Sequence, residues 1–151
     1  MKTSKKTKKG KLTVVAGPMF SGKTGKLVAM VEVFTRMGHK VLTVKPKIDM
    51  RYSHKEEIHS HDHRTSRALV VDGESPETII EKILADGADK VIFDEVQFFD
   101  KEKIKKVILD LKKRGFHVIA AGLMYDFRRH PFGATPELLG LADESLELMA
   151  I

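Results

Sequence analysis

The densest chemistry in the chain lies in the octet Gly17-Pro18-Met19-Phe20-Ser21-Gly22-Lys23-Thr24, a full match to G-x-x-x-x-G-K-[ST]. Each fixed position has a physical task. The glycines let successive backbone N–H groups curl around phosphate oxygens with no side chain in the way. A helix opening after Lys23 turns its positive dipole end toward the same anion. Lys23 suits the β- and γ-phosphates, and the Thr24 hydroxyl suits a Mg²⁺ ion. A Gly-rich turn with an exposed lysine is the plainer alternative. The apolar run before the octet and the helical pattern after it supply the context that a phosphate cradle requires.

Such a site needs an acid at the end of a second apolar strand. Val91-Ile92-Phe93-Asp94 has that form, and Asp94 can serve the Mg²⁺ shell. Glu95 follows directly. A carboxylate beside a metal-bound phosphate can take a proton from an incoming hydroxyl, or position a water, or merely pair with an arginine. The residues alone leave these three open. Four of the eight phenylalanines, Phe98, Phe99, Phe127 and Phe132, fall in two segments after strands. They offer faces for a flat ring, although Phe99 fits an ordinary core position equally well. His54, His59, His61 and His63 fall within ten residues. Nothing in the pattern converges them, which favours a mobile polar loop with incidental metal affinity.

These residues need elements to hold them. Leu12–Ala16, Val41–Val44, Ala68–Val71, Val91–Phe93 and Val118–Ala121 read as short buried strands. Leu146–Ile151 reads as a last one. Between them lie three helical patterns. The first carries Leu27, Met30, Val31 and Phe34 and stops near Gly38. The second opens at Ser75-Pro76, buries Ile79, Ile80, Ile83 and Leu84, and stops at Gly87. The third buries Ile104, Val107, Ile108 and Leu111 and stops near Gly115. Residues 46–66 and 122–135 read as long loops, which in compact domains are commonly functional. Alternating strands and helices predict an α/β fold, a mostly parallel sheet of the P-loop NTPase type with helices on both faces. Ligands of such sheets bind beyond the carboxyl ends of the strands, where all the chemistry noted above falls.

Composition sets bounds. A chain of 151 residues predicts one domain, and 42% hydrophobic with 32% charged residues is an ordinary globular balance. The absence of cysteine excludes disulfides, thiol nucleophiles and thiolate zinc sites from these residues. No apolar run approaches a membrane span and no secretory pattern opens the chain, so a cytoplasmic location is expected. The formal charge of +6 resides in residues 1–11, which hold six lysines and no acid. Without them, 21 basic residues face 21 acidic ones. The expected division is a basic disordered arm over 1–11 and a nucleotide-binding kinase domain over 12–151. A solvated arm, or one in weak contact with a polyanion, accounts for the charge, and no specific nucleic-acid partner is expected.

Five segments together resemble the type II thymidine kinase family. They are GPMFSGKT (17–24), KPKIDMRYS (45–53), SHD (60–62), FDEVQFF (93–99) and LMYDFRRHPFG (123–133), in the family's order and spacing. The resemblance implies transfer of the γ-phosphoryl group of ATP to the 5′-hydroxyl of thymidine, with deoxyuridine also plausible. It implies that Gly17, Ser21, Gly22, Lys23 and Thr24 hold ATP, and that Thr24 and Asp94 serve Mg²⁺. Glu95 would be the base. Arg51 would neutralise charge at the transfer centre, with Asp49 nearby. Met19, Phe98, Leu123, Phe127 and Phe132 would enclose the nucleoside, and Gln97 belongs to the same motif without an assigned role. A homotetramer is a further family expectation. Met124 stands where the family usually has Asp. The family usually continues into a Cys-rich zinc module and a lasso-like lid. The chain ends at Ile151 without cysteine, so no zinc site is expected in it. A lidless chain is expected to bind ATP but to turn over thymidine poorly. An ATPase in which Glu95 positions water, or a non-catalytic ATP-binding module, is the competing expectation.

Overall fold

Apolar runs of three to six residues separated by amphipathic helices leave one economical arrangement, a parallel sheet with helices over it. In the computed structural model, which describes residues 9–18, 22–48, 67–126 and 128–149, that arrangement is realised with six strands. They are β1 (Lys11–Gly17), β2 (Val41–Pro46), β3 (Arg67–Val71), β4 (Lys90–Phe93), β5 (His117–Leu123) and β6 (Glu144–Glu147). Their spatial order is β3-β2-β4-β5-β1-β6, and every pairing is parallel. The helices are α1 (Lys23–Arg36), α2 (Pro76–Asp86), α3 (Lys101–Lys113) and α4 (Thr135–Leu141).

The connections explain which face each helix covers. From β1 to β2 the chain crosses the sheet in one direction, over β5 and β4; every later crossover that follows a helix runs the other way. Right-handed crossovers then put α1 on one face and α2, α3 and α4 on the other. The two cores match. Leu27 and Val31 of α1 pack on Val15, Ile92 and Ile119 of the sheet. The larger cluster contains Val14, Phe93, Ile83, Ile104, Ile108, Leu111 and Leu138. The middle strands β1 and β5 are almost wholly buried.

Local signals account for most boundaries. The Ser75 side chain accepts from the Thr78 N–H at 3.2 Å and Pro76 opens α2. Asp100 caps α3 by accepting from the Lys103 N–H at 3.0 Å. Three expectations are corrected. Leu84 is 43% exposed and lies outside the buried stripe of α2. The last strand is Glu144–Glu147, displaced toward the N-terminus from the apolar run at 146–151. It pairs only with β1 at the sheet edge and is mostly exposed, so hydrophobicity does not mark it. The stretch 122–135 is not one loop. It contains the end of β5, a closed turn spanning Met124 to Phe132, and the start of α4.

Candidate functional site

Strand lengths build the site. In register, Gly17 of β1 lies beside Leu123 of β5, whereas β4 ends at Phe93, beside Ala120. β4 therefore stops three positions short of the end of β5 and two short of the end of β2, a step of roughly 10 Å on the β5 side at the usual strand rise. Asp94, Glu95 and a one-turn 3₁₀ helix, Val96–Phe98, fill that step. The Asp94 N–H donates to the Val44 carbonyl at 2.9 Å, which fastens the turn to the end of β2. The Glu95 N–H donates to Asp94 Oδ1 at 2.9 Å.

Gly22 caps α1 at φ 87°, ψ 15°, a left-handed geometry that glycine adopts at little cost. Among the described residues, no side chain caps this end, and no acid occupies its first turn. By contrast, α2 and α3 each carry a capping side chain and a glutamate there. The first N–H groups of α1 are thus left with their positive field uncompensated, the condition that favours an anion. Lys23 opens the helix, and its Nζ donates to the Pro18 carbonyl at 3.4 Å. Partial burial lowers the ammonium's pKa below its ordinary value, and the charges of Glu95 and Asp94 pull it back up. The tips of β1 and β4 therefore meet electrostatically across β5. Thr24 is exposed in the first turn of α1.

Glu95 is a non-glycine residue held at φ 54°, ψ 47°, and strained backbone of this kind collects at working sites. Gln97, only 5% exposed, donates from Nε2 to Glu95 Oε1 at 2.7 Å. Its Oε1 accepts from the Leu123 N–H at 3.0 Å. Phe98 is 51% exposed and meets Phe132 edge to face, with ring centroids 5.5 Å apart. Phe99 instead packs on the main core, 6.3 Å from the Phe93 ring. The Phe132 ring sits at the foot of the closed turn. There the Phe132 N–H donates to the Met124 carbonyl at 3.0 Å, and Asp126 Oδ1 accepts from the N–H groups of Arg128 and His130 at 2.8 and 2.9 Å. Those N–H groups, His130 foremost, hold the Asp126 carboxyl below the usual range. Met124 packs against the main core.

Gly17, Gly22, Lys23, Thr24, Asp94, Glu95, Phe98, Leu123 and Phe132 all stand at or just beyond the carboxyl ends of β1, β4 and β5. Met19, Ser21, Asp49, Arg51, Phe127 and the histidines His54, His59, His61 and His63 lie outside the described residues. Sequence reasoning left Gln97 without a role, because its partner on β5 is 26 residues away. Asp126 also went unmarked as a turn former, although Asp is a residue that folds backbone onto its own carboxylate.

Among the described residues, no group of three or more His, Cys, Asp or Glu side chains could hold a metal by itself. Mg²⁺ asks for less, since it keeps several waters and takes one or two carboxylates together with substrate phosphates. Thr24 and Asp94 are hard oxygen donors of that kind, and Asp94 is near enough to Lys23 to act on its charge. The donor set fits the ion.

Sheet order, the uncapped α1 terminus and the acid pair beyond β4 define a P-loop NTPase-type α/β protein. The crystal structure of the flagellar accessory protein FlaH from Methanocaldococcus jannaschii shares the fold, with a TM-score of 0.63 over 93% of this chain and 71% of that one. Sequence identity is only 12%, so the likeness concerns architecture alone. Residues 10–151 match the thymidine kinase family model. Thymidine kinase of Mycoplasma mobile is 37% identical over 142 residues, covering 94% of this chain and 68% of that protein. Thymidine kinase of Onion yellows phytoplasma is 38% identical over 149 residues, covering 99% and 69%. The chain belongs to the thymidine kinase family.

Proposed function

We propose that the protein transfers the γ-phosphoryl group of ATP to the 5′-hydroxyl of thymidine, with deoxyuridine as a second acceptor. The observation that carries this reading is the convergence of Lys23 with Asp94 and Glu95 at the tips of two strands, beside the open Phe98–Phe132 pair. Gly17, Ser21, Gly22, Lys23 and Thr24 hold the polyphosphate. Thr24 and Asp94 hold Mg²⁺, which when bound screens the phosphate oxygens and the charge developing on the leaving group. Met19, Phe98, Leu123, Phe127 and Phe132 enclose the nucleoside.

Glu95 takes the proton of the 5′-hydroxyl as that oxygen bonds to the γ-phosphorus. The bond from the γ-phosphorus to the β–γ bridging oxygen breaks, and its electron pair leaves with ADP. Lys23 and Arg51 neutralise charge along this path. Positioning and electrostatics carry most of the acceleration in such transfers, so Glu95 need not be a strong base. The protein acts, on this reading, as a cytoplasmic homo-oligomer; sedimentation would read the assembly.

The test is incubation with γ-labelled ATP, Mg²⁺ and thymidine, followed by separation of the products. Label in thymidine monophosphate supports the reading. Label released only as free phosphate would make the protein an ATPase with Glu95 positioning water, and label left in ATP would make it a binding module. Glu95→Gln should lower transfer ~10²–10⁴-fold, the usual share of a general base, while calorimetry shows Mg·ATP binding unchanged. Loss of ATP binding in that variant would overturn the division of roles.

A further inference from the structure

Glu95 can work as a base only if its carboxylate is held in one orientation, and its own backbone does not supply that restraint. The residue sits in a left-handed conformation, followed by a 3₁₀ helix of three residues. What fixes the carboxylate is the side-chain amide of Gln97. Nε2 donates to Glu95 Oε1 at 2.7 Å, and Oε1 of the amide accepts from the Leu123 N–H at 3.0 Å. Only one orientation of the amide satisfies both ends. The carboxylate can only accept and the backbone N–H can only donate, so a flipped amide would lose both bonds at once. The strut therefore has a polarity set by its neighbours.

The surroundings are cut to fit it. A Cβ at Gly122 would stand 2.6 Å from Gln97 Oε1, and one at Gly133 would stand 2.6 Å from the Gln97 carbonyl oxygen. Gly122, next to the last residue of β5, thus leaves room for the Gln97 amide, while Gly133, in the turn after Phe132, leaves room for the Gln97 backbone. The amide joins the tip of β4 to the tip of β5. Leu123, at its far end, is a proposed nucleoside contact.

We propose that Gln97 is a positioning residue for the phosphoryl transfer, which orients the Glu95 carboxylate and ties it to the strand end that carries the acceptor. The inference rests on Glu95 being the base. With Oε1 of Glu95 engaged by the amide, Oε2 is the oxygen left to face the 5′-hydroxyl. Removing the strut leaves the carboxylate in place but free to turn. It costs turnover and leaves the phosphate seat on α1 untouched.

The experiment compares the full chain with Gln97→Met, Glu95→Gln and the double variant in thymidine phosphorylation. Gln97→Met keeps the length of the side chain and removes both hydrogen bonds. Its expected result is a kcat lowered about ten-fold or more with KM for Mg·ATP within about two-fold, since misorientation of this order is costly in rate rather than affinity. Added to Glu95→Gln, it should cost less than about two-fold more, because the group it acts through is already gone. A wild-type kcat in Gln97→Met, or losses that multiply in the double variant, would overturn the inference while leaving Glu95 as base. Full turnover in Glu95→Gln would overturn the base assignment itself, a distinguishable outcome. If circular dichroism shows Gln97→Met unfolded, Gly122→Ala takes its place. Its Cβ displaces the amide oxygen, and an unchanged kcat in that variant would equally sink the proposal.

Discussion

Gly22 and Glu95 both adopt a left-handed backbone, yet they differ in what the geometry costs. At Gly22 it is almost free, and it opens α1, whose first turn carries no acid. Alanine there carries about 1–2 kcal/mol of strain. We expect Gly22→Ala to lower the unfolding free energy by about that amount in urea titration. Mg·ATP affinity should also fall ten-fold or more by calorimetry, because relaxing the strain rotates the peptide groups that, on the proposed reading, face the phosphate. Undiminished affinity would mean that the start of α1 is not the phosphate seat. The octet Gly17–Thr24 could be read as a candidate phosphate cradle from the sequence because its parts are contiguous. Its glycines, lysine and threonine must sit on one turn, so spacing along the chain is spacing in space. Gln97 was not legible for the opposite reason. Its meaning depends on Leu123, which is near it only because β4 and β5 are neighbours.

Elements were legible where burial was one-sided and long enough to repeat. In α3, Ile104, Val107, Ile108 and Leu111 are all fully buried, at the i, i+3, i+4, i+7 spacing that defines a helical stripe. In α2 the stripe is narrower than the apolar pattern suggested, since Leu84 is 43% exposed. The two positions should answer differently to truncation. Ile108→Ala should cost about 2–5 kcal/mol, the range for emptying a packed core site, and Leu84→Ala less than about 1 kcal/mol. Chemical denaturation of both variants reads this contrast directly; equal losses would place α2 in a different rotation on the sheet. One element, α4, escaped sequence reading, and another, β6, was expected but misplaced. α4 has seven residues, too few for its period to stand out, and Gly140 weakens its helical propensity. β6 has one partner and an exposed composition, so register with β1 defines it more than residue type does.

Across the whole molecule, the candidate site residues gather at the carboxyl ends of the strands, while the amino ends carry a polar network on the α1 face. Lys90 of β4 lies 3.0 Å from Nδ1 of His117 on β5. Nε2 of the same ring lies 3.0 Å from Thr13 Oγ1 on β1, whose hydroxyl donates to Glu144 of β6 at 3.3 Å. Four adjacent strands are laced together at one level, with Phe34 of α1 edge-on to the imidazole and beneath the Lys90 ammonium. The geometry requires a neutral ring that accepts at Nδ1 from the ammonium and donates at Nε2. Burial first, then the Lys90 and Lys11 charges, push the His117 pKa down to about 4, against the pull of Glu144. In the unfolded chain the ring titrates near its ordinary ~6.5, so between these values the unfolded state binds the extra proton. The network's contribution is therefore complete above pH ~6.5, declines as the pH falls from there, and is spent near pH 4. The Asp143 and Glu144 carboxyls act in a separate, more acid window. Their pKa values are lowered chiefly by hydrogen bonds from Lys112 and Lys11 respectively, so their contribution is lost only as the pH falls below the ordinary carboxylate range. Urea titrations of the wild type and of His117→Gln, run from pH 7.5 to 4.5, isolate the histidine. The wild type should lose stability relative to the variant steadily below pH 6.5, so that the difference between them narrows or reverses by pH 4.5. A difference that stays constant over that range would show that His117 titrates alike in the folded and unfolded chains, and that the lacing of the four strands does not depend on a neutral imidazole.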